Sequence, residues 1–104
     1  MKKQKTLSKK EIMEILGKNK EMLLKYDVKK IGLFGSFVRN EQKPESDIDL
    51  FVEFEKPSFD NFMGVSYYLE NLFGRRIEIL TPAGVESIRI KQIKEEIKRS
   101  ISYV

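Results

Sequence analysis

The sequence predicts a small α/β (α+β) domain built on a mixed three-stranded sheet flanked by helices. Three observations lead there. Residues 46–54, SDIDLFVEF, alternate with period two, setting Ile48, Leu50, Val52 and Phe54 on one face and Asp47, Asp49, Phe51 and Glu53 on the other. Two further short apolar runs, KKIGLFG at 29–35 and RRIEILT at 75–81, read as strands. The segments around them carry helical spacing, giving the order α, β, short helix or loop, β, α, β, α.

The first helix begins at LSKKEI. Ser8 stands as N-cap with Glu11 at N3, a capping box, and Leu7 and Ile12 occupy the positions of a hydrophobic staple. Ile12, Ile15, Leu16, Leu23 and Leu24 extend an apolar face to about Lys25. After the 29–35 strand, SFVRN is expected to open a short helix. In PSFDNFMGVSYYLENLFG, residues 57–74, Ser58 is the N-cap, Phe62, Tyr68, Leu69 and Leu72 keep the helical period, and Gly74 is the stop. Pro82 suits the first turn of a last helix whose apolar stripe is Ile90, Ile93 and Ile97.

A length of 104 residues sets the expectation of one domain, 1–104. An apolar fraction of 40% with 11% aromatic residues describes a packed globule rather than a disordered tail. Cysteine and histidine are both absent, which excludes disulfides, thiolate or imidazole metal sites and Ser-His triads. Any metal must be held by oxygen, which favours Mg²⁺, Mn²⁺ or Ca²⁺. The basic start, MKKQKTLSKK, has no apolar run behind it and does not read as a signal peptide, and no stretch has the length of a membrane span. A cytoplasmic protein is expected. The net charge of +4 sits on a surface with charges of both signs, so direct nucleic-acid binding is not expected. The basic positions of the last helix, Lys91, Lys94, Lys98 and Arg99, read as a solvated face rather than a partner surface.

The chemistry gathers around GSFVRNEQKPESDID, residues 35–49. Asp47 and Asp49 share one strand face with Cα atoms about 6.6 Å apart. Like charges held this close are costly unless a proton or a metal neutralises them. A metal pair about 3.5–4 Å apart is the arrangement that clamps an in-line phosphoryl displacement. On the third strand Glu78 lies between Ile77 and Ile79 and points away from the face they bury. If that strand neighbours 46–54, Glu78 joins the two aspartates, and three carboxylates make an oxygen site for a divalent metal. Gly35 lets backbone approach a phosphate closely, and the Ser36 hydroxyl and the N–H groups of the helix start can donate to it. Arg39, one turn along, can hold a triphosphate oxygen or pair with Glu41.

Taken together, Gly35-Ser36, ten intervening residues and Asp47-x-Asp49 match the G-S-x₁₀-D-x-D signature of polymerase-β-like nucleotidyltransferases. The string GLFGSFVRNEQKPESDIDLFV, with Arg39-x-Glu41, GRRIEILTP at 74–82 and the closing SYV, resembles the minimal nucleotidyltransferase family, the small antitoxin partners of HEPN-domain toxins. The likeness covers nearly the whole chain. It implies a nucleotidyltransferase core fold, with Asp47, Asp49 and Glu78 holding Mg²⁺, two ions in all, and through it the triphosphate of ATP. Gly35 and Ser36 would hold the β- and γ-phosphates, and Glu78 would help to deprotonate or orient the acceptor hydroxyl. The third carboxylate is most often aspartate in the family, and here it is the longer glutamate.

The resemblance further implies the substrate, because active members transfer AMP from ATP onto a tyrosine of the cognate HEPN ribonuclease and silence it. The short chain leaves no room for an acceptor-binding domain, which suits a protein acceptor supplied in trans. Tyr67, Tyr68 and Tyr103 read as packing or surface residues rather than acceptors. The competing expectation is a catalytically weak antitoxin that neutralises the toxin by stoichiometric binding.

Overall fold

In the computed structural model, residues 7–39, 41, 43 and 46–104 are described. The basic stretch 1–6 and Asn40 of the expected SFVRN helix lie outside the described residues. The elements run α1 Lys9–Lys18, α2 Lys20–Lys25, β1 Val28–Phe34, α3 Ser36–Arg39, β2 Ile48–Phe54, α4 Phe59–Phe73, β3 Ile77–Leu80, α5 Pro82–Glu86, α6 Lys91–Ser100 and β4 Ser102–Tyr103. The sheet is mixed, as expected, but it has four strands rather than three, in the order β3-β2-β1-β4. β2 pairs antiparallel with β1 and parallel with β3, and β1 pairs antiparallel with β4. A parallel pair needs a long crossover, and α4 supplies it between β2 and β3.

Local chemistry explains most of the boundaries. At the start of α1, Ser8 Oγ accepts from the Glu11 N–H at 3.2 Å while Glu11 Oε1 accepts from the Ser8 N–H at 3.0 Å, the reciprocal capping box. Ser58 caps α4 by accepting from the Asn61 N–H at 3.1 Å. Gly74 ends α4 in the left-handed region, φ 65°, with its N–H donating to Glu70 O.

The first helix does not run unbroken to Lys25; it divides at Asn19. There the Asn19 side chain donates to Ile15 O at 2.7 Å and accepts from the Tyr68 hydroxyl of α4. A side-chain amide satisfying helix carbonyls competes with continued helix. The break reorients α2 relative to α1, so Leu23 is buried while Leu24 is 66% exposed, against expectation. The last helix is likewise two. Thr81 caps α5 and Pro82 sits in its first turn, but Ser87 ends it, its hydroxyl donating to Gly84 O at 2.8 Å. α6 then starts afresh at Lys91 and buries no residue completely; Ile90 and Ile93 stand 58% and 45% exposed, so the expected stripe is only partly covered. Glu86 ties the two pieces together through Lys94 at 3.5 Å and Lys98 at 2.6 Å.

The core lies on one face of the sheet. Ile48, Leu50, Val52 and Phe54 of β2 cluster with Ile12 and Leu16 of α1, Leu23 of α2, and Val65 and Leu69 of α4. Burial of this apolar surface is the main favourable term in folding. The opposite face holds Asp49, Phe51 and Glu78, with α5 and α6 over part of it, and Phe51 and Val85 are the buried residues there. Tyr103 of β4 reaches Phe51 edge-on across Gly32, ring centroids 6.1 Å apart. A Cβ at Gly32 would come within 3.2 Å of Tyr103 and closer still to Ile101. Among the described residues no helix is long and apolar enough to cross a membrane.

Candidate active site

Strand register assembles the site. Asp49 of β2 faces Phe34 of β1 on one side and Glu78 of β3 on the other, each as a direct Cα partner. The neighbour relation on which Glu78 depended is therefore met. The register sets the Asp49 and Glu78 carboxyl groups beside each other at the mouth of one cleft. Burial, then the Glu78 charge and hydrogen bond, then Asp47, push the Asp49 carboxyl up to about 6, with Arg39 pulling weakly the other way.

Gly35 closes the third side. It stands at φ +81°, where a side chain is strained, and a Cβ there would fall onto Asp49 Oδ2 and within 3.0 Å of its Cγ. Ser36 follows as the first residue of α3, whose Phe37 is fully buried as an anchor. Asp47 lies one residue ahead of β2 and is half-buried. Arg39 takes the pairing alternative: its Nε donates to Glu41 Oε1 at 2.8 Å, at the exposed rim.

The Asp49–Glu78 pair opens into a cleft of about 550 Å³ between the sheet and α6, lined also by Phe34, Leu80, Ile88 and Ile97. A smaller hollow of about 260 Å³ shares Phe34 and Ile97 with it and continues past Gly35 and Arg39 to Ile93 and Glu96. A separate groove between α2 and the β1–β4 edge, lined by Lys20, Leu24, Lys30 and Tyr103, contains no acidic side chain. The paired acids lie in the first cleft.

The donor set suits a hard divalent cation, because carboxylates from neighbouring strands are pressed together and a cation relieves the repulsion more strongly than a shared proton. Among the described residues no three acidic side chains are drawn together as a finished cage. Magnesium does not need one, since it is commonly held by one or two carboxylates, with phosphate oxygens and water completing its shell.

Residues 12–103 match the Nucleotidyltransferase domain family. The chain belongs to that family. This nucleotidyltransferase is 44% identical over 104 residues to a candidate protein adenylyltransferase of Methanocaldococcus jannaschii, across 96% of this chain and 99% of the relative. It is 38% identical over 93 residues to the protein adenylyltransferase MntA of Thermococcus cleftensis, across 88% and 94%. Its fold superimposes on a candidate minimal nucleotidyltransferase with a TM-score of 0.72 at 21% identity, covering 92% of this chain and 95% of the other. On a chain from the crystal structure of a mutant toxin-antitoxin MntA-HpeT the TM-score is 0.56 at 14% identity, covering 93% and 71%. At such identities the two solved structures speak for the fold alone.

Two features in or near the nucleotidyltransferase's cleft carry no functional mark in the sequence. Phe34, Ile88 and Ile97 wall it, yet each looks like an ordinary core residue in sequence. Arg75 donates from Nη1 to Ser46 O at 3.0 Å, beside Asp47. In sequence it stands within GRRIEILTP, a string that carries the family likeness but does not mark the reach of Arg75 to Ser46.

Proposed function

We propose that this nucleotidyltransferase is an ATP- and Mg²⁺-dependent protein adenylyltransferase of the cytoplasm, acting as an antitoxin that places AMP on a tyrosine of a HEPN-domain ribonuclease toxin. The observation that carries the reading is Asp49 paired across two strands with Glu78 and backed by Gly35. The names of its protein adenylyltransferase relatives support the choice of AMP and of a protein acceptor.

In this reading the acceptor hydroxyl oxygen attacks the α-phosphorus of ATP, the bond from that phosphorus to the bridging oxygen breaks, and pyrophosphate leaves. Gly35 and Ser36 hold the β- and γ-phosphates at the head of α3, and Arg39 exchanges Glu41 for a triphosphate oxygen. Glu78, the exposed member of the pair, takes the acceptor's proton and orients its oxygen. Asp47, Asp49 and Glu78 would hold Mg²⁺, two ions in this reading, and the metal would supply positive charge to offset that of the phosphates. Phe34, Ile88 and Ile97 keep the cleft partly dry, which strengthens each of these interactions.

The second reading, a catalytically weak antitoxin that acts by binding alone, is favoured by two features: glutamate in the third carboxylate position, and the open arrangement of the three acids. Intact mass of the gene-neighbour protein after incubation with this one, ATP and Mg²⁺ separates the two. Added AMP mass, lost when Asp47→Asn and Asp49→Asn are combined, is the expected result. A stable complex without added mass would leave the binder as the function.

A further inference from the structure

Asp47 has no strand to hold it. β2 begins at Ile48, so the ladder that fixes Asp49 does not extend to its partner. The residues on either side of Asp47 are instead tethered to the segment that enters β3. Arg75 Nη1 donates to Ser46 O at 3.0 Å, and the Ile48 N–H donates to Arg76 O at 3.1 Å. The Arg75 guanidinium also lies over the Phe37 ring, 5.7 Å from its centroid, and Phe37 is the buried anchor directly after Ser36. Among the described residues the arginine forms no ion pair. Its charge is directed at a carbonyl and an aromatic face, and a planar guanidinium can lie over the ring while its fork donates to the carbonyl. The left-handed Gly74 turns the chain out of α4 so that Arg75 can reach both.

We propose that Arg75 is a positioning residue that holds Asp47 in register with Ser36 and Glu78. One side chain thereby joins the three segments that carry the site: α3, the lead-in to β2, and the lead-in to β3. The inference rests on the reading of Asp47 as a metal ligand. Groups that orient a ligand from outside the coordination shell commonly change metal affinity or activity by about 10–100-fold when removed.

The test uses Arg75→Met, which keeps an apolar stem against Phe37 but removes the donors, and Arg75→Lys, which restores one donor without the planar fork. Mn²⁺ affinity in the presence of ATP is read by electron paramagnetic resonance, and the exchange rate of the Ile48 amide by hydrogen exchange. Expected for Arg75→Met are an affinity loss of about tenfold, faster Ile48 exchange and an unchanged far-ultraviolet circular dichroism spectrum, with Arg75→Lys in between. Wild-type affinity and wild-type Ile48 exchange in Arg75→Met would overturn the proposal. A chain that loses Ile48 protection but keeps its Mn²⁺ affinity would also overturn it, since Arg75 would then serve stability alone. If the wild-type protein binds no Mn²⁺ with ATP, the metal reading fails, and unchanged Ile48 exchange in Arg75→Met would still sink the tether separately.

Discussion

Replacing Asp49 by asparagine should stabilise the metal-free protein at neutral to alkaline pH while removing its activity. The folded state raises the Asp49 carboxyl from 3.8 to about 6. A carboxyl that binds its proton more tightly when folded contributes stability below its unfolded value, and that contribution is lost as pH rises through about 6. A shift of about two units corresponds to about 3 kcal/mol. Half-exposure and solvent screening bring the figure down to about 1–1.5 kcal/mol. Asparagine is nearly isosteric, carries no charge to repel Glu78 and can still hydrogen-bond to it. Thermal or urea unfolding with chelator present should therefore find Asp49→Asn about 1–1.5 kcal/mol more stable than wild type at about pH 8, a rise in Tm of about 4–8 °C. At about pH 4, where wild-type Asp49 is protonated, the two should converge. Excess Mg²⁺ should raise the wild-type midpoint and leave the variant where it was. A variant less stable than wild type at about pH 8, or a difference independent of pH, would refute the claim that crowded charge accumulates at this position.

Three other outcomes are expected from the same geometry. Glu78→Ala removes the second and third causes of the Asp49 shift, so carboxyl nuclear magnetic resonance should find Asp49 titrating lower, and kcat should fall more than ATP affinity. Gly35→Ala meets both a positive φ and the Asp49 carboxylate; urea unfolding should register a loss of about 1–2 kcal/mol together with the loss of transfer. Tyr68→Phe leaves the Asn19 side-chain oxygen without its donor far from the cleft, and should cost about 1 kcal/mol in stability with activity unchanged.

How far the fold was legible can be traced element by element. Ser8 with Glu11, Ser58, and Gly74 marked helix ends because a cap is satisfied by residues three or four positions away. The division at Asn19 was not legible, because it depends on a hydroxyl in α4 that only the folded chain brings near. β4 is two residues long, too short for periodicity to register, and it is seated by Gly32, whose lack of a side chain admits Ile101 and Tyr103. The exposure of Ile90 and Ile93 comes from α6 starting anew after Ser87, which spacing alone cannot distinguish from one continuous helix.

The site divides along the same line. Sequence alone determined which side chains share a face: period two puts Asp49 opposite Leu50, and Glu78 opposite Ile77, whatever the strands pair with. It also determined that oxygen would be the only metal donor, since histidine and cysteine are absent. Only the tertiary structure decided that β3 runs parallel beside β2 in the register that sets Glu78 against Asp49, that Gly35 abuts the same carboxylate, and that Arg75 reaches Ser46. The physical reason is range. Side-chain direction and capping are set by a residue and its near neighbours, whereas register and the approach of distant segments are set by how one shared core can be filled.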